Sequence, residues 1–107
     1  MKRTRLHRNV RRVVEQIVEL VHPLRVVLFG SAATGKATPD SDLDFLVVVS
    51  EDREADQVVD LLNTGIRPRP MPCDFIVVTP SVLRKHGKTT GLIYREIIEH
   101  GREVYAG

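Results

Sequence analysis

From Leu6 to Val21 the apolar residues Leu6, Val10, Val13, Val14, Ile17, Val18, Leu20 and Val21 recur at intervals of three and four. That spacing draws one stripe down a helix and turns Arg8, Arg11, Arg12, Glu15, Gln16 and Glu19 away from it. Pro23 ends the helix, because the residue before a proline is pushed out of the helical region. Leu24 to Phe29 is short, rich in apolar and β-branched residues and closed by Gly30, the pattern of a buried strand. Leu43 to Val49 repeats that pattern after a small-residue segment, Gly30 to Ser41, punctuated by Pro39-Asp40. Ala55, Val58, Val59, Leu61 and Leu62 mark a helix over Asp52 to Leu62 that closes near Gly65. The prolines in Arg67 to Pro72 exclude a helix there and predict an extended lead into a third strand, Cys73 to Val78. Thr79-Pro80-Ser81 opens a short helix, and Lys85, His86 and Lys88 are expected in a surface loop. A last helix over Leu92 to Glu99 stops at Gly101, expected as a left-handed cap, and Val104-Tyr105 adds a short final strand. The order of elements predicts an α/β (α+β) layer around a small central sheet.

Composition narrows the class. The 107 residues are 42% hydrophobic and 28% charged, which suits one folded core and a single domain over residues 1–107. A net charge of +2 is too small to argue for nucleic acid by itself. The basic start runs into an amphipathic pattern instead of a signal peptide, and no apolar run approaches the ~20 residues of a membrane span. A cytoplasmic protein with no membrane association is expected. Cys73 is the only cysteine, which excludes an internal disulfide or a cysteine-built zinc site and reads as a buried thiol.

The chemistry concentrates between Leu28 and Phe45. Asp42 and Asp44 stand two apart at the mouth of a strand, so their carboxylates point the same way. Like charges so close drive one group to take up a proton unless a cation lies between them, and a hard ion such as Mg²⁺ resolves the conflict. A solvated acidic strand entry, with Asp40 and Ser41 as turn residues, accounts for the same residues. Gly30-Ser31, followed by Gly35, offers close backbone approach and free N–H groups for an anion, or else an ordinary tight turn. Asp74 is a third acid at the start of an apolar strand, either at a water-facing edge or, if that strand pairs with the second, beside Asp42 and Asp44. In the latter arrangement two metals about 3.5–4 Å apart would clamp an in-line displacement, with Asp74 taking the proton of the attacking hydroxyl.

The combination Gly30-Ser31, Gly35, Ser41-Asp42-Leu43-Asp44 and a lone Asp74 resembles the DNA polymerase β-like nucleotidyltransferase superfamily. More narrowly it is similar to the minimal nucleotidyltransferases, the antitoxin partners of HEPN-domain toxins, and the likeness runs from the opening helix through Tyr105. The resemblance implies a small mixed β-sheet flanked by helices. It also implies Mg²⁺ (two ions) at Asp42, Asp44 and Asp74, and nucleotide contacts from Gly30, Ser31, Gly35 and Ser41. ATP or another nucleoside triphosphate is the implied donor, and a HEPN-domain protein the implied partner, silenced in the manner of a type VII antitoxin. Many relatives carry arginine before the second glycine, where this chain has Thr34; Lys36 or Arg25 is the candidate substitute.

Two decoys fail. Gly30-x₄-Gly35-Lys36 mimics a P-loop, but Ala37 follows and then Pro39, aspartates and a strand replace the required helix. Asp40, Asp42 and Asp44 mimic an EF-hand loop, but Phe45 stands where that loop needs glycine. The basic run Lys2, Arg3, Arg5, Arg8, Arg11 and Arg12 reads as a solvated face, with an RNA, nucleotide or acidic partner as the other use. His22 and His100 suit helix ends. Transfer of AMP to a partner hydroxyl is therefore expected; a silent antitoxin acting by contact, or a nucleic-acid-binding module, are the alternatives.

Overall fold

Along the chain the elements are α1 (Arg8–Val21), β1 (Arg25–Phe29), β2 (Leu43–Val48), α2 (Ala55–Gly65), β3 (Cys73–Val78), α3 (Pro80–His86), α4 (Ile93–His100) and β4 (Arg102–Ala106). They are taken from a computed structural model that describes residues 8–30, 33, 42–67, 72–86 and 93–107. Helix α1 buries Val10, Val13, Val14, Ile17 and Val21, the stripe its apolar spacing predicts. It stops at His22, whose backbone turns left-handed (φ 45) and whose N–H still donates to the Val18 carbonyl at 3.0 Å. Arg53 closes the same helix end from the turn after β2, its Nη1 donating to the Val21 carbonyl at 2.8 Å.

The four strands form one mixed sheet in the order β3-β2-β1-β4. Strand β1 runs antiparallel to both β2 and β4, whereas β2 and β3 are parallel. The parallel pair needs a crossover, and α2 supplies it. Alternation along the inner strands divides the core. Val26, Leu28, Leu43, Phe45 and Val47 pack with α1 and α2 on one face. Val27, Leu46 and Val48 pack with Val82, Leu83, Tyr94 and Ile97 of α3 and α4 on the other. This burial on both faces explains why β1 and β2 are near-continuous apolar runs. Phe45, fully buried, stacks on Phe75 of the neighbouring strand at 6.0 Å between ring centroids.

Several expectations shift. Strand β4 spans five residues and pairs with β1 across a bulge. Lys85 and His86 belong to the end of α3, not to a loop. Gly101 is not left-handed: Gly30 is the positive-φ glycine among the described residues. The constraint at Gly101 is space, since a Cβ there would lie 2.4 Å from the Ile97 carbonyl oxygen and 2.6 Å from Val27 Cγ1. Of the proline-laced lead, residues 68–71 lie outside the described set; the Pro72 carbonyl accepts from Leu43 N–H at 2.8 Å and ties its end to β2. Cys73 is buried, as expected of a core thiol. Among the described residues no helix is long and apolar enough to cross a membrane.

Candidate active site

The parallel pairing of β2 and β3 is in register from its first residues: Leu43 lies beside Cys73, Asp44 beside Asp74 and Phe45 beside Phe75. Leu43, Phe45, Cys73 and Phe75 point to the α1–α2 side. Asp44 and Asp74 therefore share the opposite face with Leu46, Ile76, Val48 and Val78, at the end where both strands begin. Antiparallel pairing brings Phe29, the last residue of β1, opposite Asp44. The chain leaves that point through Gly30, which is left-handed (φ 76), and a Cβ on Gly30 would sit 2.5 Å from Asp44 Oδ2. Segments far apart in sequence thus meet at one end of the sheet, two carboxylates against a glycine turn.

The electrostatics follow from that placement. Burial is the main cause that holds the Asp44 carboxyl above its ordinary pKa, and the charges of Asp74 and Asp42 add to it. A hydrogen bond shared with the Asp74 carboxyl also favours the protonated form. Two acids that share a contact must hold a proton or a cation between them. Among the described residues no three His, Cys, Asp or Glu side chains gather tightly enough to hold a metal ion unaided. Mg²⁺ does not require such a cage, because it retains waters and is completed by substrate phosphates beside one or two carboxylates. The half-buried Asp44, its partner Asp74, the exposed Asp42 and the side-chain-free space at Gly30 fit an open seat of that kind.

Of the predicted site residues, Asp42, Asp44, Asp74 and Gly30 come to this end of the sheet. Ser31, Gly35 and Ser41 lie outside the described residues, as do Thr34 and Lys36. Arg25 is not a substitute phosphate ligand. It opens β1, four positions or roughly 13 Å from Phe29, and its guanidinium is engaged by Glu103. Sequence reasoning gave Gly30 a role in ligand approach but missed that its bare backbone also makes room for Asp44. No local signal carries that; it follows from the β1–β2 register.

The fold is that of the nucleotidyltransferases. A solved nucleotidyltransferase from Sulfolobus solfataricus, described as putative, superposes with a TM-score of 0.60 at 20% identity, covering 92% of this chain and 78% of that one. A toxin–antitoxin structure with AMP-PNP superposes with a TM-score of 0.61 at 13% identity, covering 94% and 75%. The chain belongs to the nucleotidyltransferase domain family, matched over residues 8–104, and is a transferase of that class. A Methanocaldococcus jannaschii protein named as a putative protein adenylyltransferase is 32% identical over 81 residues, which span 76% of this chain and 77% of the relative.

Proposed function

We propose that this nucleotidyltransferase moves AMP from ATP to a hydroxyl group on a partner protein, and that this transfer silences the partner. The observation that carries the reading is the in-register pair Asp44–Asp74 beside the left-handed Gly30. Magnesium ions held by Asp42, Asp44 and Asp74 would supply charge neutralisation for the triphosphate and its leaving pyrophosphate. Gly30, with Ser31, Gly35 and Ser41 of the following segment, seats the phosphates through backbone and hydroxyl donors. Asp74 is exposed at an edge strand, open to an incoming hydroxyl, and takes its proton as the oxygen attacks the α-phosphorus. Most of the acceleration comes from holding the reacting oxygens in line and from fixed charge.

The adenylyl donor and protein acceptor are supported by the name of the M. jannaschii relative, and a toxin partner by the toxin–antitoxin neighbour. A HEPN-domain toxin and a type VII-like antitoxin role rest on the family resemblance, and a cytoplasmic setting on the sequence pattern of the amino-terminal stretch and the short apolar runs. The test is label transfer from α-³²P-ATP to a co-purified or genetically adjacent HEPN protein in Mg²⁺, with Asp42→Asn, Asp44→Asn and Asp74→Asn beside wild type. Transfer abolished in all three, with partner toxicity restored, is the expected result. Silencing that survives all three substitutions would replace the enzyme with an antitoxin that acts by contact.

A further inference from the structure

The outward face of α1 carries an ordered charge pattern that the transfer reaction does not use. Arg8, Arg12, Glu15 and Glu19 are all exposed, and their spacing of four, three and four residues places them on one straight stripe. Among the described residues none of the four takes part in an ion pair. The order is the reverse of what a helix prefers: no acid stands in the first turn of α1 and no base in its last. Bases near the N-terminus and acids near the C-terminus both oppose the macrodipole. Arg8 with Arg12, and Glu15 with Glu19, are also like-charge neighbours one turn apart, which adds repulsion within each half. Within the isolated helix only the middle of this face attracts, where Arg11 and Arg12 stand four and three residues before Glu15; its two ends do not.

The stripe is complementary to itself. A twofold axis through its midpoint, between Val13 and Val14, sets Arg8 opposite Glu19 and Arg12 opposite Glu15 of a second helix running the other way. The operation yields four ion pairs, lays each basic half beside the partner's acidic half, and sets the two macrodipoles antiparallel. Such a contact is isologous, as in a C2 dimer. A nucleic acid laid along the same face would meet Glu15 and Glu19 with its phosphates, and a uniformly acidic protein would meet the same repulsion. From this we infer that α1 is the contact between two copies of this chain, paired antiparallel through Arg8–Glu19 and Arg12–Glu15. The inference does not depend on the transfer reading. Because α1 covers the sheet face opposite Asp44 and Asp74, both acid pairs stay open in the dimer.

Sedimentation of the full chain tests it, with two charge-reversed variants: Arg8→Glu with Arg12→Glu, and Glu15→Arg with Glu19→Arg. Wild type should dimerise, at least about tenfold more weakly when salt rises from about 0.05 to 0.5 M and shortens the Debye length. Each variant alone should be monomeric yet folded, with the far-ultraviolet circular dichroism of wild type, because its charges at one helix end now suit the macrodipole. An equimolar mixture of the two should form the heterodimer, since one stripe is wholly acidic and the other wholly basic. A wild type that stays monomeric at about 1 mM protein, or variants that do not pair when mixed, would overturn the inference. So would wild-type dimers unmoved by either reversal, or RNA retained through Arg8 and Arg12 by a monomeric wild type.

Discussion

Asp44 is where stability and the proposed function pull apart. Its carboxyl is held above the ordinary aspartate value by burial and by the neighbouring acids, so the metal-free folded chain binds a proton more tightly than the unfolded chain does. Stability of the metal-free protein therefore falls as pH rises from the ordinary aspartate value through the raised one, and the cost persists at neutral pH. Asp44→Asn removes that cost. Directly opposed like charges in a sheet are worth about 0.2–1 kcal/mol, so the variant should melt higher by ~1–5 °C in EDTA at pH 7. Label transfer should fall by at least about 10²-fold. A variant that melts lower than wild type in EDTA would mean that Asp44 is stabilised, not strained, by its neighbours. Gly30 fails differently. Alanine there meets both an unfavourable φ and Asp44 Oδ2, so Gly30→Ala should lose about 1–2 kcal/mol of stability. It should also lose about 10²-fold in activity, because a carboxylate displaced by even 1 Å misplaces the reacting groups. Chemical denaturation and single-turnover transfer measure the two losses separately.

At the scale of elements, α3 is held by a contact that sequence patterning does not announce. Glu51, in the turn after β2, accepts from the Ser81 backbone N–H at 2.7 Å and from the Ser81 hydroxyl at 2.9 Å. These bonds, the backbone one foremost, pull the Glu51 carboxyl below its ordinary value. A depressed folded-state pKa gives stability that is complete above the unfolded value and lost as pH falls through the folded one. Glu51→Gln should thus be less stable than wild type at pH 7 and lose less on acidification below the ordinary glutamate range. Urea midpoints across pH would show the two curves converging; parallel curves would assign the acid sensitivity elsewhere. The α1 stripe and the span of β3 were legible because periodicity is a local property. Partners across the sheet were not, since nothing in Leu43–Val48 or Cys73–Val78 states that the two strands run parallel and in register. Strand β4 was underestimated for a related reason: Arg102 and Glu103 look like a charged loop until β1 supplies the ladder. The acids themselves stood out as candidates, but their pairing depended on that register.

At the scale of the whole molecule, the sheet divides the labour. One face, roofed by α1 and α2, carries the larger share of the buried core. The other is roofed by the short α3 and α4, and its acids emerge at one end. A ligand that binds only this folded arrangement stabilises it by mass action, about 2.7 kcal/mol at a hundredfold excess over Kd. For a chain of 107 residues that is a rise in melting temperature of ~10 °C or more. Mg²⁺ with a non-hydrolysable ATP analogue should therefore raise wild type well above its EDTA value. Asp44→Asn, which starts higher because no charge is buried or repelled there, should gain little, so the ranking of the two proteins reverses on adding the ligand. Differential scanning fluorimetry over a ligand titration reads both curves. Equal shifts in the two proteins would show that the nucleotide is held without the acid pair, whereas a reversal ties the strain at Asp44 to the binding that relieves it.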